Sequence, residues 1–229
     1  MKAIILAAGK GSRLGKYTEG KPKCLLALGE ESVLSREIRI LQECGFKEED
    51  IYVVGGYKYK LLEPIAPNLI YNSEYNTKDN SYSLGIAMET VPRDDILVLD
   101  ADLCFEKELI LEILEDMHEN VLLSKESAAL EESTGIVVEE SGRVKAIGKQ
   151  YRDTEYVYLS IFKVGKEVVS ELVKILLSER SEHTWYTYAI TEICGENAFY
   201  NKVTRQKWHE IDFVEDYMET LELFQLEEK

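Results

Sequence analysis

Short apolar runs alternate with helix-like segments over the first half of the chain. Four runs predict buried strands, at Ala3–Ala7, Ile51–Gly55, Asn68–Tyr71 and Ile96–Asp100. Between and after them, apolar residues recur at helical spacing and predict helices at Ser32–Cys44, Ser81–Glu89 and Glu106–His118. Gly45 is expected to end the first helix, and Met117 to face inward from the third. This alternation favours a largely parallel sheet covered on both faces.

Strands become more frequent after about Asn120. Six are predicted, at Val121–Ser124, Thr134–Glu139, Arg143–Gly148, Glu155–Lys163, Lys202–Arg205 and Trp208–Ile211. Helices are expected at Lys166–Leu177, Trp185–Asn197 and Phe213–Gln225. Since no linker rich in Gly, Ser or Pro separates the two halves, we expect a single α/β domain over residues 1–229, with a β-rich part at 121–229.

Composition narrows the class of protein. The 229 residues are 45% hydrophobic with only four prolines, which is enough apolar material for a large core. A net charge of −16 argues against a nucleic-acid-binding surface, which would be basic. The four cysteines are scattered without a C-x-x-C pair, so neither a zinc site nor a disulfide framework is expected. The longest apolar runs are too short for a signal peptide or a membrane helix, and we expect a cytoplasmic protein.

The first 26 residues have the opposite charge from the rest of the chain. They contain six Lys or Arg against one acid, Glu19, whereas the whole chain has 27 cations and 43 acids. A strand followed by glycines, Ser12 and cations is typical of a loop whose N–H groups bind an anion, and a triphosphate fits best. The spacing matches neither a P-loop nor the dinucleotide fingerprint, which would need glycine where Leu14 stands. A glycine pair after a strand also occurs in ordinary tight turns.

Longer motifs are more specific than the glycine pair. L-A-A-G-K-G-S-R-L is followed by K-P-K-C-L-L, and downstream come Val54-Gly55-Gly56-Tyr57, Asn80-Ser81-Tyr82-Ser83-Leu84, Leu99-Asp100-Ala101-Asp102 and Trp208-His209-Glu210-Ile211-Asp212 with Glu215-Asp216. Together they resemble the sugar-phosphate nucleotidyltransferase superfamily over nearly the whole chain. The resemblance is closest to small cytidylyltransferases that act on phosphocholine and related phosphonates. It implies a Rossmann-like fold with a small β-rich acceptor-binding lobe, Mg²⁺ as cofactor, and CTP and a small phosphorylated or phosphonate acceptor as substrates.

Nucleotidyl transfer depends on cations, because charge builds up on the α-phosphoryl group and on the departing pyrophosphate. Arg13 offers a fork for the leaving phosphates, and Lys23 a point charge for the α-phosphoryl group. Either cation could instead be a solvated loop charge. Asp102 and Asp212 are the expected Mg²⁺ ligands, and Asp100 could assist them. The alternative for Asp212 is the N-cap of the last helix.

The remaining nucleotide and acceptor contacts follow largely from the resemblance. The predicted nucleotide-binding residues are Leu6, Ala7, Ala8, Gly9, Gly11, Ser12, Gly56, Asn80 and Ser83. Among them, Asn80 and Ser83 could supply a donor and an acceptor for the cytosine edge, or could simply begin a helix. The predicted acceptor-binding residues are Lys149, Tyr158, Trp185 and Glu192. Lys149 could equally be solvated, and the aromatic residues could be core rather than a box for a quaternary ammonium.

Two other functions stay open at this point. One keeps the reaction but joins UTP or dTTP to a sugar 1-phosphate. The other is a non-catalytic regulatory domain of the same fold, which would be expected to lack Arg13, Lys23, Asp102 or Asp212, all of which are present. Whether the chain acts as a monomer or a homodimer is likewise open.

Overall fold

Thirteen strands and six α-helices occur among the residues that the computed structural model describes, 1–127, 133–181 and 183–228. In chain order they are β1 (Lys2–Ala7), β2 (Ala27–Leu28), β3 (Glu31–Ser32), α1 (Val33–Glu43), β4 (Ile51–Gly55), β5 (Asn68–Tyr71), α2 (Asn80–Thr90), β6 (Ile96–Asp100), β7 (Leu103–Phe105), α3 (Lys107–Leu114), β8 (Val121–Glu126), β9 (Gly135–Val138), β10 (Val144–Gly148), β11 (Tyr156–Val164), α4 (Lys166–Leu176), α5 (Tyr186–Ile193), β12 (Tyr200–Val203), β13 (Trp208–Glu210) and α6 (Val214–Leu223). None of the helices in these described ranges has both the length and the hydropathy of a membrane-spanning segment.

A nine-stranded sheet forms the centre of the fold. β6, β1, β4 and β5 lie side by side in that order and run parallel. From β6 the sheet continues through the antiparallel β11 to β9 and β10, while β8 pairs with the opposite edge of β11 and carries β12 on its other side. All the strands after residue 120 except β13 therefore extend the same sheet. The predicted α/β fold with a parallel centre is confirmed.

Two cores cover the two faces of the sheet, because successive side chains of a strand point to opposite sides. Ile4 of β1 packs with α2, α4 and α5 on one face, and its neighbour Ile5 packs with α1 and α3 on the other. Both side chains are completely buried. The predicted coverage of both faces is confirmed. Because helices cover both faces, a ligand can reach the sheet at the carboxyl ends of its parallel strands.

The third helix is shorter than predicted. It ends at Leu114 instead of continuing to His118, and Met117, expected to face inward, is 90% exposed. The carboxylate of Asp116 accepts a hydrogen bond of 3.0 Å from the backbone N–H of His118. Such a local side-chain bond competes with helical hydrogen bonding, and here it replaces the last predicted turn.

Some boundaries in the second half also differ. The strand predicted at Lys202–Arg205 is β12, two residues earlier, and the helix predicted to end at Asn197 ends at Ile193. β7 was not predicted, because three residues directly after Asp102 are too few to show a period. β7 pairs with β13 outside the large sheet.

Candidate active site

The loop after β1 forms one wall of a cleft at the carboxyl ends of the parallel strands. A 3-10 turn, Ser12–Thr18, begins after Gly11, whose φ of +67° is a conformation that favours glycine. A Cβ atom on Gly11 would lie 2.6 Å from Cβ of Lys23. Glycine is therefore favoured at position 11 for two reasons: the turn needs a positive φ, and the Lys23 side chain packs where a Cβ atom would lie.

Seven of the predicted nucleotide-binding residues line this cleft, namely Leu6, Ala8, Gly9, Gly11, Ser12, Asn80 and Ser83. Ala7 and Gly56 lie behind it. Ala7 is part of the core on the α1 side of the sheet. A Cβ on Gly56 would lie 2.5 Å from Cβ of Tyr75 and 2.8 Å from the carbonyl oxygen of Ala8, so Gly56 allows two wall segments to approach each other.

Four charged side chains meet at the floor of the cleft. The ammonium of Lys23 lies 2.7 Å from Oδ2 of Asp102 and 2.7 Å from Oδ1 of Asp212. Nη2 of Arg13 lies 2.9 Å from the same oxygen of Asp212, and its guanidinium stacks 4.7 Å from the ring centre of Phe213. The Lys23 side chain is only 13% exposed, so it is not a solvated loop charge. The four predicted catalytic and metal-binding residues thus converge in space.

The pairing of β7 with β13 brings the two aspartates together. Glu210 lies opposite Leu103 in this pairing, and the N–H of Ile211 donates a 2.9 Å hydrogen bond to the carbonyl of Asp102. Asp212 follows directly. The short strand after Asp102, which sequence periodicity missed, is therefore what positions the second carboxylate beside the first.

Asp216, and not Asp212, caps the last helix. The carboxylate of Asp216 accepts hydrogen bonds from the backbone N–H groups of Asp212 and Phe213, at 2.9 and 2.7 Å. An acidic side chain in the first turn of a helix can thus satisfy the N–H groups that immediately precede the helix, and its negative charge is favourable there. The side chain of Asp212 consequently stays available to the charged cluster, and the alternative assignment as N-cap is wrong.

Opposite charges hold Lys23 and Asp212 ionised. Burial by itself lowers the pKa of Lys23, but the negative charges of Asp102 and Asp212 outweigh it and raise that pKa above its ordinary value. Burial by itself raises the pKa of Asp212, but Lys23 and Arg13 outweigh it and hold that pKa below its ordinary value. Lys23 and Asp212 therefore form an ion pair at neutral pH.

Two further carboxyl groups line the same cleft. Burial and the charge of Asp102 raise the pKa of Asp100 well above its ordinary value, and Oδ2 of Asp100 accepts a 3.2 Å hydrogen bond from the hydroxyl of Tyr186. Burial and the charges of Asp102 and Asp212 raise the pKa of Glu210 to about 8. No role for Glu210 was predicted from the sequence, although this residue lies in the Trp208–Asp212 motif, two positions before Asp212.

The two residues expected to contact a base carry structural hydrogen bonds as well. Oδ1 of Asn80 accepts a 3.0 Å bond from the backbone N–H of Tyr186, which ties α2 to α5. Oγ of Ser83 accepts a 2.8 Å bond from Nδ2 of the buried Asn72. The acceptor atom of Asn80 is thus already engaged, so the predicted pair of one donor and one acceptor for the base edge is altered. Asn72 was not singled out from the sequence.

A second cleft adjoins the first and shares Trp185, Glu210 and Asp212 with it. Lys149 lies in its wall, with its ammonium 4.3 Å from the ring centre of Trp185. Tyr158 also lines it, although this side chain is only 3% exposed. Three of the four predicted acceptor-binding residues therefore meet beside the charged cluster.

The other aromatic and acidic residues considered for the acceptor site differ in burial and position. Tyr186 is buried in the core, with its hydroxyl 3.3 Å from that of Tyr158. Trp185 is 45% exposed. Glu192 is exposed on α5 and lines neither cleft. The aromatic residues of this half are thus divided between core and cleft, which composition alone could not decide.

Comparisons with known proteins agree with this geometry. Residues 3–157 match the MobA-like NTP transferase domain. The chain belongs to this family. The membership predicted from the motifs is confirmed, and the chain is a nucleotidyltransferase.

Three relatives illustrate the similarity. The chain is 25% identical to the CTP:phosphoglutamine cytidylyltransferase of Campylobacter jejuni, over 94% of this chain and 97% of that one. It is 30% identical to the bifunctional IPC transferase and DIPP synthase of Aquifex aeolicus, over 84% of this chain but only 47% of that longer one. The structure of CTP:phosphocholine cytidylyltransferase from Streptococcus pneumoniae superposes with a TM-score of 0.77 at 22% identity, over 97% of this chain and 98% of that one, and so shows the same fold.

Proposed function

We propose that the protein transfers the cytidylyl group of CTP to a small phosphorylated or phosphonate acceptor of the phosphocholine kind, giving a CDP- or CMP-linked product and pyrophosphate. The observation that carries this proposal is Lys23 held between Asp102 and Asp212, with Arg13 beside them, at the carboxyl ends of β1 and β6. Open α/β sheets bind their ligands at this edge. The cytidylyltransferase named among the relatives supports CTP as the nucleotide.

In the proposed reaction, an acceptor oxygen forms a bond to the α-phosphorus, and the bond from that phosphorus to the β-phosphate oxygen breaks. The acceptor is already an anion, so it needs no general base. Lys23 stabilises the charge that builds up on the α-phosphoryl oxygens, and Arg13 binds the departing phosphates as a planar fork. Both cations are already ordered by Asp212, which lowers the entropic cost of positioning them.

Asp102 and Asp212 would hold Mg²⁺. Oδ1 of Asp102 is buried and has no hydrogen-bond partner among the described residues, which suits an oxygen that binds a cation. In residues 1–127, 133–181 and 183–228, no group of three or more His, Cys, Asp or Glu could hold a metal ion. A set of two carboxylates suits Mg²⁺, which usually takes its other ligands from phosphates and water. When bound, Mg²⁺ would supply positive charge to the triphosphate.

The second cleft is the proposed acceptor site. Lys149 would bind the phosphate or phosphonate group, and Trp185 would present its ring to a cationic headgroup. The carboxylate of Asp216 in the same cleft would favour a positively charged acceptor. The cleft joins the nucleotide cleft at Asp212, so an acceptor held there lies beside the reacting phosphate.

A panel of substrates tests the proposal. Pyrophosphate release would be measured with Mg²⁺ and CTP, UTP, dTTP or ATP, each against phosphocholine, phosphoethanolamine, 2-aminoethylphosphonate and glucose 1-phosphate. We expect turnover with CTP and at least one of the first three acceptors. Turnover confined to UTP or dTTP with glucose 1-phosphate would favour the sugar-nucleotide alternative. No turnover with CTP and any acceptor would overturn the proposal.

A further inference from the structure

Asn72 lies directly behind the wall of the nucleotide cleft, where it is 0% exposed. The backbone N–H of Glu74 donates a 2.8 Å hydrogen bond to its Oδ1. Because a backbone N–H can only donate, the carbonyl end of the Asn72 amide must face Glu74. Its NH₂ end is therefore turned toward Ser83 and donates to Oγ at 2.8 Å. Two hydrogen bonds thus determine the direction of this amide.

The direction of Asn72 determines what Ser83 can offer to a ligand. Ser83 lines the cleft from α2, and its oxygen already accepts a bond. A hydroxyl that accepts one hydrogen bond becomes a stronger donor and a weaker acceptor, because the first bond polarises the O–H group. Among the described residues, Asn72 is the hydrogen-bond partner of this hydroxyl. Its hydrogen can therefore point into the cleft.

A backbone N–H group also determines the orientation of the Asn80 amide. The backbone N–H of Tyr186 can only donate, so the atom of Asn80 that accepts it at 3.0 Å is the carbonyl oxygen. The NH₂ group of Asn80 is therefore the group that can donate into the cleft. Asn80 lines this cleft one helical turn before Ser83 on α2. The wall of the cleft thus presents two donors.

We propose that Asn72 is a positioning residue that makes Ser83 a donor and thereby selects cytosine over uracil; this inference rests on the proposed cytidylyltransferase function. Cytosine has two adjacent acceptors on its pyrimidine edge, O2 and N3. Uracil has an acceptor at O2 but a donor, N3–H, at the next position. Two protein donors therefore match O2 and N3 of cytosine. With uracil, one of these protein donors would face the N3–H donor of the base, and two unpaired donors in a desolvated site are costly.

Binding of CTP and UTP to four variants tests this role. Dissociation constants would be measured by titration calorimetry with Mg²⁺ and no acceptor. We expect Ser83→Ala to lower the preference for CTP over UTP by roughly tenfold or more, the equivalent of a lost hydrogen bond and an unpaired group. Asn72→Asp places an acceptor where the NH₂ group was. It should draw the Ser83 hydrogen away from the cleft and shift the preference further toward UTP.

Ser81→Ala is the matched control. Ser81 is a buried serine of the same helix, but its hydroxyl lies 3.3 Å from that of Thr184 instead of lining the cleft, so this variant should keep the wild-type ratio. If the buried carboxylate of Asn72→Asp prevents folding, Asn72→Leu takes its place. That variant removes the amide without adding charge and should reduce the preference without inverting it.

The outcomes separate the two proposals. A wild-type protein that neither binds nor turns over CTP contradicts the proposed function itself. A wild-type protein that prefers CTP, together with Ser83→Ala and a folded Asn72 variant that both keep its CTP-to-UTP ratio, overturns the role of Asn72 alone.

Discussion

The ammonium of Lys23 lies 2.7 Å from the carboxylate of Asp212, although the two residues are 189 positions apart in the chain. The same ammonium lies 2.7 Å from Asp102. One cation therefore separates two partly buried carboxylates that would otherwise repel each other. This arrangement implies that Lys23 contributes to the stability of the site as well as to the proposed chemistry.

Replacing Lys23 by Met should lower CTP turnover on the order of 10²–10³-fold, the usual effect of losing one group that stabilises transition-state charge. The variant should also unfold at a lower temperature at pH 7. The folded pKa of Asp212 lies below its unfolded value, so its stabilising contribution is present above the unfolded pKa and is lost as the pH falls. The difference in melting temperature should thus persist down to about pH 4 and shrink below it, as Asp212 takes up a proton in the folded protein. Lys16→Met, an exposed cation of the same segment, is the control, and wild-type turnover in Lys23→Met would contradict the assignment.

Two glycine substitutions separate backbone strain from crowding of Lys23. Gly11 and Gly142 have φ values of +67° and +84°, so alanine at either position should cost roughly 1–2 kcal/mol of stability. A Cβ on Gly142 meets nothing within 4 Å, whereas one on Gly11 lies 2.6 Å from Cβ of Lys23. We expect only Gly11→Ala to displace Lys23 and to reduce turnover sharply. Melting curves and pyrophosphate release on both variants check this, and equal turnover in the two would contradict it.

Glu37 of α1 is 1% exposed, and among the described residues no group forms a hydrogen bond of ordinary geometry with either of its carboxylate oxygens. Burial and the nearby charge of Asp102 raise the pKa of Glu37 well above its ordinary value. The folded protein therefore keeps this proton over a pH range in which the unfolded chain releases it, and stability falls as the pH rises above about 4.3. Glu37→Gln removes this loss, so its melting temperature relative to wild type should increase from pH 5 to pH 8.

The control for Glu37 is Glu43→Gln on the exposed side of the same helix, where Glu43 pairs with Arg39. We expect its effect on the melting temperature to be small and equal at both pH values. A relative melting temperature of Glu37→Gln that does not change with pH would show that Glu37 is ionised in the folded protein.

Asp212→Asn should weaken the binding of Mg²⁺ to the CTP complex. Loss of a residue that only supports a metal ligand lowers metal affinity by roughly 10–100-fold, and we expect a larger decrease here. The reason is that one of only two proposed protein ligands loses its charge. Calorimetric titration of Mg²⁺ in the presence of a non-hydrolysable CTP analogue would measure the effect. Asp153→Asn, an exposed aspartate outside both clefts, should bind Mg²⁺ like wild type. Equal Mg²⁺ affinity in the two variants would remove Asp212 from the metal site.

Trp185→Leu should raise the KM for a cationic acceptor by roughly 2- to 30-fold, the range that corresponds to ~0.5–2 kcal/mol for one cation–π contact. Its KM for CTP should change less, because the ring lies where the two clefts join and faces Lys149 on the acceptor side. Glu192→Gln on the exposed face of α5 serves as the control and should leave both constants unchanged. An unaltered acceptor KM in Trp185→Leu would place the headgroup elsewhere.

Sequence patterns predicted the central elements closely. β4, β5 and β6 have the predicted boundaries, and α1 ends where Gly45 was expected to stop it, with φ of +98° at that glycine. Such elements depend on local periodicity and on one residue with special backbone freedom, both of which are visible in the chain. The third helix was predicted too long, because the apolar pattern continues to Met117 while the Asp116 side chain ends the helix earlier.

By itself, the sequence determined the parallel centre of the sheet, the cationic loop after β1 and the identity of the residues in the charged cluster, since these follow from periodicity, charge and motif. Only the tertiary structure decided that Asp212 meets Lys23 instead of capping α6, that Tyr186 is core while Trp185 lines a cleft, and that Asn72 orients Ser83. The physical reason is that these outcomes depend on hydrogen bonds and burial between segments far apart in the chain. A residue's own neighbours in sequence do not show which distant donor, carboxylate or cleft it will meet.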